Sequence, residues 1–216
     1  MARFSCQAVL FDLDGVLVDS TPCVTRVWSA WAQEHGLDAE WVVHVAHGQR
    51  TIETVRRVAP QLDAQQETDR IEQMEISDTD GLRALPGALE LLAALPPERY
   101  NIVTSGTRRL AARRLQVAGL PVPVAMITAD DVTRGKPDPA PYLAGARVLR
   151  FEPERCLVFE DAPSGVRSAK SAGMVVIGVP TTYRAEELVG ADAIVPSLQT
   201  VVVRITPEGL IVGLVE

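Results

Sequence analysis

Ala8-Val9-Leu10-Phe11-Asp12-Leu13-Asp14-Gly15 decides the fold. Four apolar residues running into two carboxylates read as a buried strand that delivers Asp12 and Asp14 to the carboxyl edge of a sheet, where α/β folds present their chemistry. Acids this close repel each other, so a site that keeps both ionised carries a cation or uses one of them as a proton carrier. The stretch points to a metal-dependent acid/base or nucleophilic site. A plain strand-ending turn and a calcium loop use similar letters. A calcium loop of the helix-loop-helix type needs its glycine sixth, with oxygen ligands at alternate positions. Here Gly15 is fourth and apolar Val16, Leu17 and Val18 follow, which disfavours calcium and leaves the turn as the competing reading.

Outward from this strand, 216 residues suffice for one domain with an inserted module or for two small domains. Hydrophobic residues at 47% and charged ones at 23% are those of an ordinary soluble globular chain. No apolar run approaches the roughly 20 residues of a membrane span. Asp12 and Asp14 interrupt the first one, and no basic leader precedes it, so we expect no signal peptide and a cytoplasmic location. Cys6, Cys23 and Cys156 are odd in number and lack Cys-x-x-Cys spacing, which fits reduced structural thiols.

The net charge of -7 is confined to one segment: residues 19–81 hold 12 acids against 5 arginines, while the remainder holds 16 of each sign. Such a block argues against nucleic acid and anionic membrane as partners, because both need a basic face. Most of its acids read as a solvated helical exterior. The same segment looks helical throughout. Val24, Val27, Trp28 and Trp31 repeat at i, i+3, i+4 and i+7 after Thr21-Pro22, and Ile52, Val55 and Ala59 repeat the pattern. The tryptophans read as packing between helices in preference to a ligand cage.

From Leu85-Pro86-Gly87 the pattern changes to alternating helix and strand. Strands are expected at Tyr100-Asn101-Ile102-Val103-Thr104, 124–127, 156–159, 175–179 and 193–195, with helices near 139–149 and 163–172 and a terminal hairpin around Pro207-Glu208-Gly209. The expected architecture is α/β: a Rossmann-like parallel sheet covered by helices on both faces, with an inserted all-helical cap. The core would be residues 1–18 and 82–216 and the cap residues 19–81. A cap hung on two short connections over the strand ends can admit substrate and then exclude water.

Three more clusters follow expected strands. Thr104, Ser105 and Gly106 offer two hydroxyls and an open backbone suited to phosphate oxygens, although Ser105-Gly106-Thr107 would equally cap the next helix. Lys136, one of only two lysines, sits in Gly135-Lys136-Pro137-Asp138-Pro139, where flanking prolines would fix its direction. It reads either as a cation set between a carboxylate and an incoming phosphate or as an ordinary loop lysine. Glu160 and Asp161 end a strand and would join Asp12 and the Asp14 carbonyl as oxygen ligands of the kind Mg²⁺ takes. No histidine–cysteine cluster supports zinc, and no Gly-x-x-x-x-Gly-Lys or Gly-x-Gly-x-x-Gly loop supports a nucleotide.

Asp12-Leu13-Asp14-Gly15, Thr104, Lys136-Pro137 and Glu160-Asp161, in this order, resemble the four-motif signature of the haloacid dehalogenase-like hydrolases. The resemblance spans essentially the whole chain. The helical insertion is similar to the cap of the phosphoglucomutase and sugar-phosphatase branch, and His47-Gly48-Gln49-Arg50-Thr51, Val103-Thr104-Ser105-Gly106-Thr107 and Phe159-Glu160-Asp161-Ala162-Pro163 look most like small sugar- and polyol-phosphate phosphatases of the glycerol-phosphatase and 2-deoxyglucose-6-phosphate phosphatase types.

The resemblance implies Mg²⁺ as cofactor, bound by Asp12, the Asp14 carbonyl and Asp161 with Glu160 nearby. It implies Asp12 as nucleophile, Asp14 as acid and base, and Thr104, Ser105, Gly106 and Lys136 as phosphate-binding groups. The implied activity is hydrolysis of a small sugar or polyol phosphate, and the expected form is a monomer or weak dimer. Val16 departs from the Thr common in phosphatases of this branch, which keeps a sugar phosphomutase as the alternative. Arg50 is the best-placed cap cation for substrate, against the alternative of a surface arginine paired with Glu53.

Overall fold

The structure is a computed structural model that describes residues 2–215. β1 (Arg3–Cys6) leads into β2 (Ala8–Phe11), and β3 (Val18–Asp19) opens an insertion of four helices: α1 (Thr21–Glu34), α2 (Ala39–Ala46), α3 (Thr51–Val58) and α4 (Ala64–Ser77). After β4 (Arg83–Ala84) come α5 (Ala88–Ala94), β5 (Tyr100–Ile102), α6 (Arg108–Val117), α7 (Ala140–Leu149), β6 (Cys156–Glu160), α8 (Pro163–Ser171), β7 (Val175–Gly178), β8 (Ala193–Ile194), β9 (Val201–Thr206) and β10 (Gly209–Leu214).

Five strands form a sheet in the order β5-β2-β6-β7-β8, every pair parallel, so β2 lies inside it with Phe11 opposite Ile102 on one side and Phe159 on the other. All four residues of β2 are buried, as a strand covered on both faces requires. Alternation sorts its side chains: Val9 and Phe11 enter one core with Leu157, Phe159 and Ile177, while Ala8 and Leu10 enter the other with Val158 and Val176. The rings of Phe11 and Phe159 stack with centroids 5.4 Å apart. This packing fixes where the chain leaves β2 and β6, and hence where Asp12 and Asp161 begin.

The insertion has an apolar core of its own. Val24, Val27, Trp28 and Trp31 of α1 pack with Val42, Val55 and Ile71 from the other three helices, as the i, i+3, i+4, i+7 spacing requires. Trp28 and Trp31 lie edge to face, 5.6 Å between centroids. Side-chain caps start two of the helices: Asp38 accepts from the Trp41 amide on α2, and Asp63 from the Gln65 and Gln66 amides on α4. The insertion leaves and rejoins the sheet through adjacent strands, because β3 and β4 pair antiparallel with Val18 opposite Ala84.

Two expectations need correction. Residues 124–127 do not form a strand; only Ile127 pairs, in a single bridge to Val103. Pro121 and Pro123 remove two ladder donors just ahead, and Val124 stands 99% exposed. Residues 3–6, not anticipated as a strand, form β1, which pairs with β10 in a separate three-stranded antiparallel sheet that also contains the expected hairpin. Cys6, Cys23 and Cys156 are buried free thiols. Among the described residues, no helix is long and apolar enough to cross a membrane.

Candidate active site

Asp12 follows the last residue of β2, and its amide donates to the Phe159 carbonyl at 3.0 Å, so the sheet ladder continues one residue past the strand and sets the carboxylate at its edge. The next turn carries Gly15 at φ +82°. A Cβ at Gly15 would lie 1.9 Å from Oδ2 of Asp161, so glycine is needed for space as well as for the left-handed backbone.

Lys136 closes the group from the opposite side. Its ammonium is 3% exposed and donates to Asp12 Oδ1 at 2.5 Å, Glu160 Oε1 at 2.6 Å and the Val103 carbonyl at 3.2 Å. It also lies 5.1 Å from the centre of the Tyr142 ring. Burial works against this charge, but Asp12 and Glu160 outweigh it and raise the ammonium pKa above the ordinary lysine value. The loop-lysine reading is thereby excluded.

Glu160 is wholly buried and fully engaged. Oε1 accepts from Lys136 and from the Tyr142 hydroxyl at 2.7 Å, while Oε2 accepts from the amides of Asp161 and Ala162 at 3.0 and 3.1 Å. These four donors occupy the lone-pair sites of a carboxylate. Thr104 is buried at the end of the neighbouring strand, its hydroxyl accepting from the Gly106 amide at 3.0 Å. Ser105 donates instead to the Gly48 carbonyl of the helical insertion at 3.2 Å.

The acids satisfy the test for a hard cation. Carboxylate oxygens of Asp12, Glu160 and Asp161 lie within 4.8 Å of one another and all three residues are buried; with Glu160 engaged, Asp12 and Asp161 are the acids left to hold a cation in this all-oxygen set. Burial pushes the Asp12 carboxyl up to about 7 against the pull of Lys136, with Glu160 and Asp14 adding to the rise. Burial, then Asp12 and Glu160, push Asp161 well above the usual carboxylate range. A divalent cation is what would keep such a group ionised at neutral pH.

Asp12, Asp14, Gly15, Thr104, Ser105, Gly106 and Asp161 line one cavity of about 60 Å³ beneath the helical insertion, whose Trp28, His47, Gln49 and Glu75 form the roof. Residues 6–173 match the haloacid dehalogenase-like hydrolase family. The chain belongs to that family.

Among relatives of this haloacid dehalogenase-like hydrolase, hexitol phosphatase A of Escherichia coli strain K12 is 43% identical over 209 residues, covering 94% of this chain and 97% of that protein. Glycerol-1-phosphate phosphohydrolase 1 of Saccharomyces cerevisiae is 35% identical, with 90% of this chain and 84% of that protein covered. A crystal structure of a hydrolase from Pseudomonas syringae superposes with a TM-score of 0.82 at 27% identity, over 90% of this chain and 94% of that one.

Of the candidates, Lys136 and Glu160 stand behind Asp12 without lining the cavity, and Arg50 neither lines it nor touches the acids there. Its guanidinium donates to the carbonyls of Thr133 and Ala129 at 3.1 and 3.2 Å and meets Glu53 at 3.4 Å. A Cβ on Gly135 would fall 2.5 Å from its side chain, so Arg50 is packed against the core loop and tethers the insertion there. Val16 is also elsewhere, buried in the core below the first turn.

Sequence reasoning missed Arg114. On α6 it follows Leu110 and Ala111 by four and three residues, on the helix face that points inward, and it is 4% exposed. Its Nη1 donates to Asp14 Oδ2 at 2.8 Å and its Nη2 lies 3.3 Å from Glu75 of α4. A charged residue in register with an apolar stripe was the available signal.

Proposed function

We propose that this chain is a Mg²⁺-dependent phosphatase that hydrolyses small sugar or polyol phosphate monoesters through an aspartyl-phosphate on Asp12. The observation that carries the reading is the buried Lys136 ammonium bonded to Asp12 at 2.5 Å, with Asp161 and Thr104 beside the same cavity. A carboxylate held by an ammonium is ready to meet an anionic phosphoryl group, whose charge is the main obstacle to its transfer. The named phosphatase relatives support the same class of substrate.

Asp12 attacks phosphorus as the ester oxygen departs, and Asp14 gives that oxygen its proton. A water then attacks the aspartyl-phosphate, returning its proton to Asp14 and releasing inorganic phosphate and free Asp12. Lys136 and Thr104, with the Ser105 and Gly106 backbone, bind the phosphoryl oxygens. Mg²⁺, held by Asp12, the Asp14 carbonyl and Asp161, would supply Lewis-acid neutralisation of phosphate charge. Glu160 stands beside these ligands and, through its bond to Lys136, fixes the ammonium. Residues 19–81 act as a cap on the core of 1–18 and 82–216. Pockets for ligands of this kind usually exceed about 300 Å³, so the cavity of about 60 Å³ has to open for substrate to enter.

The phosphomutase alternative needs a cap cation for a second phosphate, and the tether of Arg50 to two core carbonyls favours hydrolysis. The test is phosphate release from glycerol, hexitol and 2-deoxyhexose phosphates with Mg²⁺ and no bisphosphate activator. We expect inorganic phosphate in stoichiometric yield. Isomerised sugar phosphate, or dependence on a bisphosphate, would overturn the reading.

A further inference from the structure

Glu75, Arg114 and His47 line the cavity, and no step of the phosphoryl chemistry uses them. Arg114 spans the first two groups: Nη1 reaches Asp14 at 2.8 Å and Nη2 faces the Glu75 carboxylate at 3.3 Å, while its buried Nε has no partner. Glu75 is 4% exposed, a carboxylate that the helical insertion carries into the interior beside the acid and base of the reaction. His47 bonds the Val43 carbonyl through Nδ1 at 2.8 Å. A carbonyl only accepts, so Nδ1 holds the proton; Nε2 of the neutral ring is then an acceptor, and it too is buried without a partner.

Unmet polar atoms this deep are costly unless something satisfies them. The residues that line the cavity thus hold two acceptors, Glu75 and His47 Nε2, and one donor, Arg114 Nε, on the side of Asp14. A carbon chain bearing hydroxyls satisfies both kinds of group, because each hydroxyl donates and accepts. A bare alkyl chain satisfies neither. A carboxylated chain brings a further acid to a group that already sets the carboxyls of Asp14 and Glu75 against a single arginine.

We propose that Glu75, Arg114 and His47 form the subsite that recognises the hydroxylated chain of the substrate, selecting neutral polyol chains against alkyl and carboxylated ones. The inference rests on the phosphatase reading above and assigns its specificity to three named side chains. Substrate binding relieves the unpaired Arg114 Nε and His47 Nε2. Arg114 joins the subsite to Asp14, so a chain seated correctly also sets its ester oxygen within reach of the acid.

The test compares kcat/KM for hexitol phosphate, ethyl phosphate and phosphoglycolate in the wild type, Glu75→Gln and His47→Gln. In the wild type, the hexitol ester should exceed ethyl phosphate by about 100-fold or more, as expected where buried polar groups await a substrate hydroxyl; this comparison needs no variant to fold. Glu75→Gln should reduce that ratio by roughly tenfold and raise phosphoglycolate relative to ethyl phosphate, and His47→Gln should reduce the hexitol ratio alone. Equal losses on all three esters, which misplacement of Arg114 or a packing defect would give, overturn the proposal. A wild-type ratio near one overturns it as well. A wild type that releases phosphate from none of the esters overturns the phosphatase reading itself, so the two failures are distinct.

Discussion

Asp12 and Asp14 occupy one turn, yet their surroundings differ. Asp12 is enclosed and bonded to Lys136, whereas Asp14 gives one oxygen to Arg114 and keeps Oδ1 without a partner. This asymmetry fits a nucleophile and a proton carrier. Asp14→Asn should lower kcat roughly 10²- to 10⁴-fold, the usual contribution of a positioned acid/base, with circular dichroism unchanged; a change below threefold in steady-state phosphate release would remove Asp14 from the role. Lys136→Met leaves the carboxylates of Asp12 and Glu160 buried without their cation. Losing one partner of such a pair costs about 3–5 kcal/mol. Urea denaturation should show that loss, and an unchanged midpoint would mean that water or a counterion replaces the ammonium. Asp12 and Asp14 were legible because they follow a buried apolar strand, Glu160 because it ends one, and Lys136 because a scarce lysine stands in a proline-stiffened stretch. Arg50 was misplaced because residue type and position in the insertion do not reveal where a long side chain points. Arg114 was overlooked because a helix of that composition contains three other arginines.

At the scale of elements, α8 shows a local preference reversed by its neighbours. Gly165 lies within this helix, where alanine is ordinarily the better residue by about 1 kcal/mol. A Cβ there would sit 1.7 Å from Oε1 of Glu160. Gly165→Ala should therefore destabilise the protein by about 1–3 kcal/mol through overpacking, and should weaken the hold on Lys136 enough to raise KM; a more stable, fully active variant would show that Glu160 is free to move.

The loop after α2 adds a pH effect. Burial holds the pKa of His47 below its ordinary 6.5, against the raising pull of its bond to the Val43 carbonyl and of Asp14, while His44 and Arg114 push it further down. Below about pH 6.5 the unfolded ring takes a proton that the folded ring refuses, so stability is lost as pH falls from there toward the folded value. In His47→Gln the decline in urea midpoint between pH 7 and pH 5.5 should be smaller than in the wild type, and equal slopes would remove His47 as its source. Strand positions followed from apolar runs flanked by turn residues. The run at 124–127 misled because two prolines left its backbone without ladder donors, and β1 was hidden because Arg3 and Ser5 face outward on a sheet whose partner lies at the other end of the chain.

For the whole molecule, the order of helices and strands carried most of the architecture: a strand, a helical insertion, then alternation lead to a parallel sheet with its loops gathered at one edge. The depth of the roof was not legible, because Glu75, His47 and Trp28 reach the cavity only through packing between separate helices. The gathered acids predict a response to metal. Excess chelator should abolish turnover, and Mg²⁺ at about 100 times its dissociation constant should stabilise the fold by roughly 2.7 kcal/mol, read as a rise in thermal midpoint; full activity in chelator would remove the metal from the account.

The most direct trial is a rapid acid quench during turnover of a ³²P-labelled polyol phosphate, followed by peptide mapping. Label should build up before steady state on the peptide that contains Asp12 and be absent from Asp12→Asn. Phosphate released at the wild-type rate with no labelled protein, or label on a different side chain, would contradict transfer through Asp12.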